Sequence, residues 1–136
     1  MSSLVAYDMQ YERAGVVLEE IMEEFNMGLL TGAEALERAL NWMYDDASMV
    51  MYEYTNEEGL ADMMQAIGKA QDLEREEEDM LKQMRNESEE LSDEEKMFGV
   101  FFEFRFSLKD IHRRQFAAED KCLSFFKDIL EFLNVL

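Results

Sequence analysis

The sequence predicts an all-α protein, an up-down bundle of about four helices with a long C-terminal helix. Three observations predict it. Apolar side chains recur in alternating steps of three and four along most of the chain, which keeps them on one face of a 3.6-residue helix. Proline, which breaks helices and populates loops, is absent from all 136 residues. Two Ser/Thr-x-x-Glu signatures stand where helices should begin.

The C-terminal element is the one around which the rest is arranged. From Met97 the 4-3 pattern runs through Phe101, Phe104, Leu108, Ile111, Gln115, Ala118, Cys122, Phe125, Ile129 and Phe132 to Leu136. Phe98, Phe102, Phe116, Leu123, Phe126, Leu130 and Leu133 widen this stripe beyond a coiled-coil seam. Ser92 and Glu95 supply a capping box, so the helix is expected from there to the chain end, about 44 residues and about 66 Å. The segment Phe102–Phe106 alternates like a strand, but it has no partner strand and is read as helix. Gly99 and Ser107 are its weak points.

Helix 1 is expected from Ser3 to Met27, capped by Ser2 or Ser3, with Leu4, Tyr7, Tyr11, Ala14, Leu18, Ile21 and Phe25 as its stripe. Asn26-Met27-Gly28 offers a left-handed end. Glu19, Glu20, Glu23 and Glu24 cluster at the unfavourable end of the helix dipole and are read as a solvated face. Helix 2 opens at the Thr31–Glu34 capping box and runs to Tyr54, along Ala33, Leu36, Leu40, Met43, Ala47 and Val50. Helix 3 follows the Asn56 N-cap, with Glu57 and Glu58 in its first turn. It ends near Asn86–Ser92. Glu74–Asp79 makes its middle highly polar.

A 44-residue helix outruns a helix 1 of about 25 residues and about 37 Å. Either the last helix breaks near Ser107, or helices 3 and 4 project past the others. Projecting apolar surface needs cover, and a homodimer is expected to provide it.

The length fits a single domain, 1–136, with one core. Ten Phe, five Tyr and clear stripes argue against disorder despite 33% charged residues. The net charge is −19, from 32 acids and 13 bases. All of it lies in residues 1–96, with 26 acids and 7 bases; residues 97–136 carry six of each. Such a surface disfavours direct binding to nucleic acid or to an anionic membrane, and favours a protein partner with a basic or apolar surface. The lone Cys122 precludes an internal disulfide and suits a reducing cytoplasm. The N-terminal residues do not resemble a secretory signal, and no apolar run is long enough to span a membrane.

Candidate chemistry is sparse. The single histidine, His112, follows Lys109 rather than a glutamate, so the paired Glu-x-x-His of di-metal bundles is absent. Glu20-Ile21-Met22-Glu23-Glu24 resembles the Glu-x-x-Glu-Glu pattern of all-helical nucleoside triphosphate pyrophosphatases. That resemblance implies magnesium held by carboxylates on facing helices. It covers five residues, and the companion Glu-x-x-Asp is missing from helix 2; Glu76–Asp79 and Glu90–Asp93 lie far downstream.

No cofactor and no catalytic or metal-binding residue is therefore assigned. The function expected is a non-enzymatic, acidic protein–protein interaction protein: an adaptor, an inhibitor or a chaperone-like protein. One alternative is a DNA mimic that occupies a basic nucleic-acid-binding protein; the other is the magnesium pyrophosphatase. Candidate interaction residues are the acidic run Glu76, Glu77, Glu78 and Asp79, and Met51 and Met64, which sit beside the stripes. Methionine is over-used on adaptable binding surfaces. Arg105, Lys109, Arg113 and Arg114 form a basic cluster, expected to pair with an acidic neighbouring helix.

Overall fold

The computed structural model describes residues 3–89, 92–95 and 99–135, with the side chains of 3–7, 95 and 101 left aside. The predicted Ser2/Ser3 cap, the stripe positions Leu4, Tyr7, Met97, Phe98 and Leu136, and the side chains of Phe101 and Glu95 therefore lie outside the described residues. Among the described residues there are six helices: α1 (Ser3–Asn26), α2 (Gly32–Asp46), α3 (Ser48–Tyr54), α4 (Glu57–Ser88), the single turn α5 (Asp93–Glu95) and α6 (Phe101–Phe132). Among the described residues there is no strand, and five of the helices pack together.

Three of the predicted boundaries follow from local chemistry. At α2, the Glu34 N–H donates to Thr31 Oγ1 at 3.1 Å and the Thr31 N–H donates to Glu34 Oε1 at 3.0 Å. At α4, Asn56 Oδ1 accepts from the Gly59 N–H at 2.8 Å. At the end of α1, Gly28 takes φ +77°. Its N–H reaches Phe25 O at 3.0 Å and the Leu29 N–H reaches Glu24 O at 2.9 Å, a Schellman closure.

Two boundaries differ from expectation. The predicted second helix is broken at Ala47 (φ −142°, ψ 45°) into α2 and α3. Asp45 and Asp46 oppose the dipole at the end of α2. The Ala47 methyl is small enough to sit fully buried at the corner, which turns Val50 and Met51 into the core. The last helix is 32 residues long, about 48 Å, rather than 44. It passes unbroken through Ser107, whereas Gly99 and Val100 form a π-helical entry to it. It stops before the chain end because Asn134 adopts φ 59°. The Asn134 N–H donates to Glu131 O at 3.0 Å and the Val135 N–H to Leu130 O at 2.9 Å, a second Schellman closure.

The main core gathers Leu18, Leu36, Met43, Met51, Met63 and Phe126 with their neighbours. On α4 its buried members end at Ala70, and on α6 they begin at Cys122. Beyond these points α4 and α6 continue together as a two-helix arm. The projecting alternative of the sequence reading is therefore the one adopted. Val100, Phe104 and Ile111 are buried in the arm yet separate from the main core. Contacts of Leu73 with Gln115, Glu76 with Arg114 and Glu77 with His112 run in opposite order along the two helices, so the arm is antiparallel.

Of the adjacent pair on α6, Phe126 is fully buried, as are Cys122, Ile129 and Leu130, whereas Phe125 is half-buried against the core edge. Trp42 likewise packs at the core edge, and Tyr44 is exposed.

Candidate interaction surface

The arm is built from few parts. Its inner seam is apolar, and its flanks are tied by charge. Arg114 holds Glu76 across the helices with contacts of 3.0 and 3.4 Å, and Asp110 on its own helix at 3.0 Å. The hydrogen bond that Arg114 donates to Glu76 leads the causes that raise the Arg114 pKa above its ordinary value. Arg113 donates to Asp110 at 2.6 Å, and this bond leads the causes that hold the Asp110 carboxyl below its usual range. His112 Nε2 stands 3.5 Å from a Glu77 carboxylate oxygen. The expected pairing of the basic cluster with an acidic neighbour thus holds for Arg114 and His112. All these pairs are exposed or half-exposed, so solvent screening leaves each contributing little to stability.

The other two cations are placed differently. The Arg105 guanidinium lies 4.3 Å from the ring centres of both Phe102 and Phe106. It is a cation–π sandwich along one helix face. Lys109 is exposed, and among the described residues it makes no ion pair.

The acidic run divides as well. Glu76 and Glu77 face α6, whereas Asp79 is open to solvent. Glu77 and Glu78 line a cleft of about 480 Å³ with Glu74, Glu119, Gln115, Leu81 and Thr31. Four glutamates share this cleft. Yet among the described residues no group of three or more His, Cys, Asp or Glu could hold a metal ion. Glu119 is the one of the four that lies on α6. Burial pushes its pKa up, against the N–H groups of Ala33 and Gly32 that favour its charge.

Met64 is exposed, as a contact residue must be. Met51 is not: it is 1% exposed in the core, because the Ala47 corner rotates it inward. It is withdrawn as an interaction residue.

The feature that sequence reasoning missed is the outward side of α6. Phe102, Phe106 and Phe116 are 57%, 62% and 76% exposed. With Lys109 and Arg113 they fall at positions 102, 106, 109, 113 and 116, a second 4-3-4-3 seam on the side away from α4. The signal is in the sequence, where Phe102 and Phe116 read as widening the inner stripe. A helix packed on only one partner in the arm cannot cover so wide a stripe.

Comparison with family models, curated proteins and solved structures finds no match to this chain. The class that can be stated is an all-helical protein whose two longest helices extend beyond its core as a paired arm. None of its described helices is long and apolar enough to cross a membrane.

Proposed function

We propose that this chain is a non-enzymatic, acidic protein–protein interaction protein of the adaptor, inhibitor or chaperone-like kind, working in the cytoplasm. The observation that carries the proposal is the exposed aromatic ridge of α6. Three large rings left in water on one helix face form a surface that association would cover. Their interleaving with Arg105, Lys109 and Arg113 gives the ridge a charge opposite to that of the chain as a whole. A reducing compartment suits the free, buried Cys122.

The DNA-mimic alternative draws on the net charge of −19. It is weakened by the engagement of Glu76 and Glu77 with cations of α6. The pyrophosphatase alternative finds no cation-holding carboxylate group among the described residues.

The test is capture of partners on the immobilised chain at about 0.1 and 1 M salt, between which the Debye length falls from about 10 to 3 Å. A partner retained at high salt and lost on Phe106→Ser with Phe116→Ser is expected. A partner released by salt, indifferent to those changes and lost when Glu76, Glu77, Glu78 and Asp79 become amides would favour the mimic. No partner at either salt, with pyrophosphate released from a nucleotide in magnesium, would sink both.

A further inference from the structure

The α6 ridge has a complement on the same chain. The outward side of α1 and the turn that ends it carry Met9, Arg13, Val16, Glu20, Glu23 and Met27, spaced 4-3-4-3-4. Met9, Val16 and Met27 are among the exposed large apolar residues of the structure. Glu20 and Glu23 are exposed, and among the described residues neither makes an ion pair. This face lies opposite Ala14, Leu18 and Ile21, which are buried in the core.

Set antiparallel, the two seams agree over five successive positions, from Phe106 to Asp120, with Phe102 extending past the end of α1. Phe106 meets Met27 and Phe116 meets Val16. Lys109 meets Glu23 and Arg113 meets Glu20. One step further, Asp120 meets Arg13. Each pair is apolar with apolar or cation with anion, and none sets like charges together. The ridge set against a second ridge instead would oppose Lys109, Arg113 and Arg105 to one another across an antiparallel contact, which is repulsive.

Resting on the reading of the α6 ridge as an interaction surface, we infer that its occupant is a second copy of this chain, which docks the outer face of α1 antiparallel along the ridge. Within one copy the two faces cannot meet, because each points away from the core that joins them. The interface is thus built from helix faces that use knobs-into-holes spacing on both sides, with the two central charge pairs fixing register. The net charge of −19 on each copy opposes association. Self-association is therefore expected to strengthen with moderate salt, until screening of the central pairs offsets the gain.

The experiment is a charge exchange read by sedimentation equilibrium of the full chain. The wild type is expected to self-associate with rising concentration. Lys109→Glu with Arg113→Glu in one chain, and Glu20→Lys with Glu23→Lys in another, should each weaken self-association by about tenfold or more. Mixing the two variants should restore it, because every ridge then finds an α1 face of opposite charge. Circular dichroism of each variant checks that these exposed changes leave the helices intact. A wild type that stays monomeric, an assembly that survives both reversals, or a mixture that does not re-associate would overturn the inference. Capture of a foreign partner by the ridge of a monomeric chain would overturn it too, while leaving the proposed function standing.

Discussion

Glu119 of α6 closes the first turn of α2: its Oε2 accepts the Ala33 N–H at 2.7 Å, and the Gly32 N–H also bonds to the carboxylate. A side chain 86 residues away in sequence thus satisfies N–H groups that every helix start leaves open. The contact joins α2 to the base of the arm.

The charge of Glu119 is held at a cost. Burial raises its pKa above the usual carboxylate range, with Glu74 and Glu34 adding to the shift. A carboxyl whose folded pKa is raised binds more protons in the folded than in the unfolded chain between the two values. Its contribution to stability therefore improves as pH falls through the folded pKa, and is complete below the unfolded one. Wild type should gain stability relative to Glu119→Gln on acidification through that window in denaturant melts. A wild type that loses ground to the variant there would mean the carboxylate is favoured, not penalised, by its site.

Gly32 is held to its size by the same contact. A Cβ at this position would stand 2.6 Å from the backbone oxygen of Glu119. Backbone cannot swing away as a flexible side-chain end can. Gly32→Ala should destabilise by about 1–3 kcal/mol, the usual range for overpacking. An unchanged urea midpoint would show that α2 and α6 are less closely set.

The C-terminal aromatics should separate by burial. Phe126 is 0% exposed, so Phe126→Ala should cost about 3–5 kcal/mol. Phe125→Ala should cost less, because Phe125 is half-buried, and Phe116→Ala should stay within about 0.5 kcal/mol in the monomer. Denaturant melts of the three variants test the order. Equal losses at 125 and 126 would mean that α6 is rotated about its axis.

Cys122 should behave as a core residue. Burial pushes its thiol pKa up to about 11, with Glu119 adding to the shift. Modification by a thiol reagent at pH 8 should be slow in the folded chain and fast in denaturant. Rapid labelling under native conditions would show that the α6 core face opens readily.

Stability at low ionic strength should rise with added salt, since 32 acids against 13 bases repel one another. The exposed Arg114–Glu76 pair contributes too little to reverse this. A melting temperature that falls with salt would give specific ion pairs the larger share, and Arg113 and Lys109 would be the first to replace.

What the sequence made legible was periodicity and punctuation. Thr31 with Glu34, Asn56 and Gly28 each state a boundary through their own chemistry, and each boundary stands where it was expected. Ala47 carries no such mark. A small residue can occupy either a helix or a buried corner, and the surrounding packing decides. Asn134 was overlooked because apolar spacing continues past it to Leu136, although asparagine tolerates the left-handed turn. Met51 misled because its position was reckoned on an unbroken helix. For the candidate surface, the basic residues were legible by type, but their division between cross-helix pairs and an outward ridge depends on which side of α6 receives α4. Periodicity alone does not number a helix's neighbours.

The arm gives its two helices different local stabilities along their length. Near the core, α4 and α6 are covered by further layers, and their amides open only with the whole molecule. Toward the tip each helix has the other alone, so its hydrogen bonds can break while the core stays closed. Amide exchange should therefore quicken steadily from Ala70 to Ser88 and from Ala118 back to Phe102. The arm can open and re-form turn by turn from its tip without the rest of the protein taking part.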